Sequence, residues 1–304
     1  MLFRSLFFGG IVLVAFFMPN LSNGPISTLR IAAIQGGVDN LGFDFNDRAL
    51  SVLKRHITAT KSVSNVDLII WPENASDVDP LRNAVAKSAI TKLISEKQIP
   101  LLLGAVENSK LGPINSSLYY NSGGVVASRY VKQDLAPFGE YIPLRKMAES
   151  ISAFARDVRD FQPGNSWIKH SVIGIPFQSI ICFEILDDDH VRAGSRGTGF
   201  LVAQTNNATF GTSSEAAQQM QITRARAAEL GRNIAVVSTT GFTAHIGSHG
   251  EIRKVAPQFE TTVLRMAIKA IDPQQQTPAS RIPSGVWFGF LGCLLAATTW
   301  LNRR

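Results

Sequence analysis

Along the first third of the chain, short unbroken apolar runs alternate with stretches of helical spacing. TLRIAAIQ (Thr28 to Gln35) is closed by Gly36-Gly37, and VDLIIWPE (Val66 to Glu73) and IPLLLGAVE (Ile99 to Glu107) follow. Each has the length of a strand buried on both faces. Between them, Asn46 to Ser62 has helical spacing at Leu50, Leu53 and Ile57, and Leu81 to Glu96 is expected to form a second helix. Alternation of this kind predicts a sheet covered on its faces by other layers.

Beyond Glu107 the pattern changes. SSLYYNSGGVVASRYVK (Ser116 to Lys132) reads as two strands around Asn121-Ser122-Gly123-Gly124, a hairpin signal. Further strands are expected at Ser171 to Ile175, Ser179 to Cys182, Phe200 to Thr205, Ile234 to Ser238 and Thr243 to Gly247. Glu215 to Arg232 is expected to be a helix, rich in Ala with Met220 and Leu230, and ended by Gly231. The segment Glu140 to Gly164 is too long for a simple connector. In it Ile142, Leu144, Met147, Ile151 and Phe154 recur at helical spacing beside Arg145, Lys146, Arg156 and Arg159, which suits a membrane-facing lid or an amphipathic helix packed on the domain. No internal repeat interrupts what reads as one α/β domain over residues 28–272.

Both ends are apolar. SLFFGGIVLVAFFM (Ser5 to Met18) follows Arg4 and, with no small-x-small cleavage site after it, reads as an uncleaved signal anchor within residues 1–24. SGVWFGFLGCLLAATTWL (Ser284 to Leu301) is uncharged, has Trp287 and Trp300 where interfacial aromatics belong, and precedes Arg303 and Arg304. It is long enough to span a bilayer. Arg4, Arg303 and Arg304 on the cytoplasmic side put the intervening domain outside, as a multi-pass protein of the cell membrane.

Composition narrows the chemistry. The formal charge is +7, but the Lys and Arg are scattered without aromatic interleaving, so an anionic membrane surface fits better than nucleic acid. Two cysteines, Cys182 and Cys293, give no disulfide framework. His245 and His249 lie in AHIGSHG, whose glycines favour a strand and turn over helical metal-ligand geometry, so neither a metal nor a cofactor is expected.

Three strand ends carry reactive side chains. SIICFEI (Ser179 to Ile185) ends an apolar run on a thiol and leads into Asp187-Asp188-Asp189, the composition of a loop or helix N-terminus. Taken alone, Cys182 is a small buried hydrophobe or a nucleophile, Glu73 a helix-capping carboxylate or a base, and Lys132 a solvated strand end or an oxyanion partner. Together, Glu73, Lys132 and Cys182 supply base, oxyanion stabiliser and nucleophile for acyl transfer, with Lys132 placed to stabilise a thiolate.

At these residues the chain resembles the nitrilase (carbon-nitrogen hydrolase) superfamily, whose Glu-Lys-Cys triad would fall on Glu73 in IIWPENA, Lys132 in YVKQDLAPFGEYIP and Cys182 in IICFEI. Within it, the apolipoprotein N-acyltransferase branch is the more similar, through Trp-Pro-Glu, Pro-Phe-Gly-Glu-Tyr-Ile-Pro, Cys-aromatic-Glu, TNNATFGTS and QQMQITRARAAELGRNIAVVSTTGFTA. The resemblance implies a four-layer α-β-β-α sandwich flanked by an N-terminal and a C-terminal membrane helix. It also implies a membrane phospholipid as acyl donor, a diacylglyceryl lipoprotein as acceptor, and Glu140 and Glu184 supporting the lysine. That branch carries several membrane helices before the domain, whereas one apolar segment precedes Thr28, hence the expectation of a partner that supplies the others. Asn207-Ala208-Thr209-Phe210 stands where many members have Asp-Ala-Trp-Phe. Two other readings fit the residues: a membrane-anchored amidase in which water resolves the acyl-enzyme, and a non-catalytic membrane-tethered partner of another lipid-processing enzyme.

Overall fold

The computed structural model describes residues 24–37, 50–151 and 159–281, with 292, 295, 296 and 298–300 near the C-terminus. In the first half of the chain are β1 (Ser27–Gln35), α1 (Ser51–Thr60), β2 (Leu68–Ile70), α2 (Ala84–Lys97), β3 (Leu101–Asn108), β4 (Pro113–Tyr120), β5 (Val126–Val131) and α3 (Arg145–Ile151). In the second are β6 (His170–Val172), β7 (Ile175–Ile181), α4 (Asp188–Ser195), β8 (Phe200–Thr205), α5 (Glu215–Leu230), β9 (Ile234–Ser238), β10 (Ala244–Ile246), β11 (Ile252–Val255) and β12 (Thr262–Ala270). They form two mixed six-stranded sheets, ordered β12-β1-β2-β3-β4-β5 and β11-β10-β9-β8-β7-β6. In each, three parallel strands (β1, β2, β3 and β7, β8, β9) are extended by antiparallel neighbours.

The unbroken apolar runs are explained by what each strand face meets. Leu29, Ile31 and Ala33 of β1 point between the sheets and pack with Phe177, Phe200, Val202 and Ala235, while Ala32 and Ile34 point outward to Leu53 of α1 and Ile90 of α2. In the second sheet Phe200 and Val202 face inward, and Leu201 and Ala203 face Val191 of α4 and Met220, Ala227 and Leu230 of α5. A strand with apolar partners on both sides loses the period-2 alternation of a half-exposed one. The layers therefore run helix, sheet, sheet, helix.

Local signals set the element ends. Asn83 accepts from Ala86 N and starts α2 three residues later than the apolar spacing suggests; Asp79 holds Leu81 N and Arg82 N in the turn before it. Gly231, at φ 63°, ends α5. The strand expected at Ser171 to Ile175 is instead a hairpin: Ile173 and Gly174 take φ 49° and 74°, so that Val172 pairs with Ile175 and β7 begins there. Two strands were not expected. In β12, Met266, Ile268 and Ala270 are buried while Arg265, Ala267 and Lys269 face solvent, the alternation of a half-exposed strand, and it pairs with all of β1, from Ser27↔Ala270 to Gln35↔Thr262.

Residues 5–18 and most of 284–301 lie outside the described residues, as do Phe154 and Arg156 of the expected lid. Among the described residues no helix is long and apolar enough to cross a membrane.

Candidate active site

Glu73 follows β2 through Trp71 and Pro72, Lys132 follows β5, and Cys182 follows β7, so all three leave the ends of strands. A polar pin joins the sheets here. Gln204 of β8 accepts from Ser117 Oγ of β4 and Ser179 Oγ of β7, both at 2.5 Å, and donates to the Trp71 carbonyl at 2.7 Å. All four groups are buried, and the bonds link β8 to β4, to β7 and to the residue that follows β2, so the pin fixes where Glu73 emerges relative to Cys182.

Glu73, only 4 % exposed, is held at both oxygens. Oε1 accepts from Asn115 Nδ2 at 2.7 Å and lies 3.4 Å from Lys132 Nζ, while Oε2 accepts from Asn206 N at 2.7 Å. Glu140 completes the cluster: its Oε2 is 2.8 Å from Lys132 Nζ and accepts from Ala136 N, and its Oε1 accepts from Asn115 Nδ2 at 2.8 Å. Asn115 thus gives one amide hydrogen to each carboxylate. Burial opposes the charge on Lys132, but the neighbouring carboxylates of Glu73 and Glu140 outweigh it and raise the ammonium's pKa above its ordinary value.

Cys182 opens a single 3₁₀ turn, Cys182–Leu186, between β7 and α4. Its φ of 49° is left-handed, which costs a non-glycine residue on the order of 1–3 kcal/mol and turns the thiol out of the strand direction. Glu184 pays for the turn with three short bonds, accepting from Ile181 N, Gln133 N and Tyr130 Oη, each at 2.7 Å. It thereby ties the residue before Cys182 to the residue after Lys132. Behind it, His190 contacts Glu184 at 3.3 Å and Asp134 at 2.8 Å, and Trp167 stacks on Tyr130 at 5.4 Å.

Burial, reinforced by the charge of Glu73, pushes the Cys182 thiol up to about 12; Lys132 and a hydrogen bond from Gln219 pull the other way. Lys132 therefore favours the thiolate, as its position suggests, but burial is the larger influence on the sulfur. Beside the cluster a cleft of about 440 Å³ is lined by Gln133, Asp134, Leu135 and Tyr141 on one side and by Phe183 and Asp187 on the other. The residues next to Lys132 and Cys182 are therefore part of its wall.

The structure brings Glu73, Lys132 and Glu140 into direct contact, and sets Cys182 within their electrostatic reach. Glu184 serves the backbone around the cysteine and lysine. His245 is buried in β10, 2.8 Å from Asn233 Oδ1, and His249 lies in the following turn. Asn115, Asn206 and Gln219 were missed by sequence reasoning. Asn115 left a trace, as a polar residue in an otherwise buried strand, but its partners come from residues 42 and 25 positions away.

Residues 30–278 match the carbon-nitrogen hydrolase family model. Among curated proteins, the chain is 32% identical to an apolipoprotein N-acyltransferase of Mycolicibacterium smegmatis over 85% of its own length and 46% of the relative's. It is 31% identical to one of Pseudomonas aeruginosa over 88% of its own length and 53% of the relative's. The chain thus spans about half the length of the curated relatives it matches. Among solved structures, an amidase mutant from Nesterenkonia superposes with a TM-score of 0.63 at 17% identity, covering 87% of this chain and 97% of that one. A carbon-nitrogen hydrolase superfamily protein from Xanthomonas campestris gives 0.59 at 16% identity, covering 79% and 90%. With the sandwich, its strand-end cluster and a family match over most of its length, the chain belongs to the carbon-nitrogen hydrolase family.

Proposed function

We propose that the chain carries the catalytic unit of an apolipoprotein N-acyltransferase, over residues 28–272, which moves a fatty acyl group from a membrane phospholipid to the N-terminal diacylglyceryl-cysteine of a lipoprotein. The observation that carries this reading is the buried Glu73, Lys132 and Glu140 cluster beside a cysteine held in a left-handed turn, in a chain whose curated relatives bear that name.

In the first half-reaction Glu73 takes the Cys182 proton as the sulfur attacks the ester carbonyl carbon. The upward shift of the thiol's pKa is the reason a base is needed for that transfer. Of the three ammonium hydrogens of Lys132, two are directed at Glu73 and Glu140, and the third, with the Phe183 N–H, meets the tetrahedral oxyanion. Collapse breaks the C–O bond, and the leaving lysophospholipid alkoxide takes the proton from Glu73, leaving a Cys182 thioester. In the second half-reaction the acceptor's α-amino group attacks the thioester and Glu73 takes its proton. The amide forms as the C–S bond breaks, and the thiol is regenerated.

Residues 5–18 and 284–301 serve in this reading as membrane anchors. Their uncharged runs, Arg4 before the first, and Arg303 and Arg304 after the second support cytoplasmic ends and an outward-facing catalytic unit. Protease added to intact spheroplasts is expected to digest that unit, and its full protection would reverse the topology.

The deciding experiment is mass spectrometry of lipoprotein N-termini from cells with and without the protein. N-acylated termini are expected to depend on it and to vanish in Cys182→Ser. An amidase of the same fold, from Nesterenkonia, has an active-site cysteine, so water is the rival acceptor. Release of free fatty acid or ammonia with unmodified termini would assign the amidase reaction. Full N-acylation by Cys182→Ser would remove covalent catalysis at this residue.

A further inference from the structure

Gln219 of α5 reaches back to the cysteine turn. Its Nε2 donates to the Cys182 carbonyl oxygen at 3.2 Å and lies 3.7 Å from Sγ, within hydrogen-bonding distance of sulfur. A side-chain amide has a donor end and an acceptor end, so which end faces the sulfur decides whether the residue favours or opposes a thiolate.

The surroundings choose the donor end. Ser238 Oγ accepts from Gly241 N at 3.0 Å and donates to Asn207 Oδ1 at 2.7 Å, while the Cys182 carbonyl, which can only accept, requires the donor end of Gln219. Thr205 Oγ1 donates to the same oxygen at 2.8 Å. With Oδ1 taken by two hydroxyls, Asn207 can offer only Nδ2 to Gln219, and it donates to Gln219 Oε1 at 2.9 Å. That leaves Nε2 for Cys182. Asn207 cannot swing away, since it is 3 % exposed and a Cβ on Gly241 would stand 2.5 Å from its Oδ1. Thr205 and Ser238 at the ends of β8 and β9, with Asn207 and Gly241 just beyond them, therefore set the polarity of one amide on α5.

We propose that Gln219 is a catalytic residue that donates to the Cys182 sulfur as the thiolate forms, and that Asn207 is the positioning residue that orients it. The inference rests on Cys182 being the nucleophile. As Glu73 removes the proton, negative charge gathers on Sγ with Lys132 shared between two carboxylates, so a neutral donor adds stabilisation without recruiting another charge. When the thioester forms, the sulfur loses that charge and the bond weakens; it strengthens again as the thiolate leaves in the second half-reaction.

The test is the pH profile of iodoacetamide alkylation at Cys182 in the full chain with Cys293→Ser, read by peptide mass mapping beside turnover and thermal unfolding. Gln219→Met keeps the length and helix preference but removes the donor. Gln219→Glu, and Asn207→Asp by turning the Gln219 amide over, present an acceptor instead. All three are expected to move the profile to higher pH and to slow alkylation near pH 8 about tenfold, the effect of one unit in the thiol's pKa. Combining Asn207→Asp with Gln219→Met should add little, because the two act through one bond. Superposable profiles for wild type, Gln219→Met and Gln219→Glu would overturn the proposal, even with reduced thermal stability, since a purely structural amide leaves the profile unmoved. Turnover by a wild-type protein whose Cys182 resists alkylation at every pH would instead remove the nucleophile assignment, and this inference with it.

Discussion

Gly104 of β3 lies so tightly beneath Glu73 that a Cβ built on it would stand 2.4 Å from the Pro72 carbonyl oxygen and 2.7 Å from Glu73 Cα. Both contacts are with backbone, which cannot rotate out of the way as a side-chain tip can. The absence of a side chain at 104 is thus what lets the Trp-Pro-Glu segment settle against the sheet, where Ala75 N also bonds the Gly104 carbonyl at 3.0 Å.

Gly104→Ala is therefore expected to displace Glu73 and to lower kcat by about tenfold to a hundredfold, the range that misplacement near 1 Å produces. Stability should fall by roughly 1–3 kcal/mol from overpacking. Steady-state kinetics with a chemical-denaturation curve checks both, and wild-type kcat in a folded Gly104→Ala protein would show that Glu73 is not held by this contact.

The charge balance at the cysteine gives opposite signs for two substitutions. Glu73 raises the thiol's pKa, so Glu73→Gln should lower it and let iodoacetamide react at lower pH, while removing the base and cutting turnover on the order of 10²–10⁴-fold. Lys132→Met should raise the thiol further and leave Glu73 and Glu140 facing each other, for a loss of about 3–5 kcal/mol. Alkylation profiles moving in the same direction for both would contradict the cluster's electrostatics.

The segment that follows Lys132 carries exposed apolar side chains: Phe138 is 63 % exposed, Leu144 75 % and Met147 59 %. Ile142, by contrast, is buried, and Arg145 is paired with Asp160 and Glu149, so the segment is split between packing and display. Leu144→Asp with Met147→Asp should slow acylation by vesicle phospholipid by about tenfold or more, as expected when two apolar contacts of 1–2 kcal/mol each are lost. Reaction with a small soluble ester should be spared. Equal losses on both substrates would assign the segment to packing and end the lid reading.

Two buried histidines make stability fall in acid. Burial lowers His56 to about 4 and His170 to about 3. Because the unfolded chain binds these protons near pH 6.5 and the folded chain does not, the stability they allow is complete above that pH. It is lost as pH falls from about 6.5 toward 4 for His56 and 3 for His170, at up to roughly 1.4 kcal/mol per pH unit for each. Urea unfolding at pH 7, 6 and 5 tests this; a flat dependence would mean that these rings find partners for their protons.

Much of the molecule is determined by the sequence on its own. Runs such as Thr28 to Gln35 and Phe200 to Thr205 have apolar neighbours on both faces, which only a stacked arrangement supplies, and Gly231 ends α5 by local backbone preference. Glu73, Lys132 and Cys182 are legible because strand ends and motifs are written in consecutive residues. What only the tertiary structure decided is whatever depends on which strands become neighbours. The full-length pairing of β12 with β1 joins residues more than two hundred positions apart, so no stretch of consecutive residues shows it. The upward pull of burial on the Cys182 thiol, the bridging of Glu73 and Glu140 by Asn115, and the donor end that Gln219 turns to the sulfur all depend on burial and on hydrogen-bond partners from other elements. Charge and hydrogen-bond polarity are summed over a three-dimensional surrounding, and no stretch of consecutive residues contains that sum.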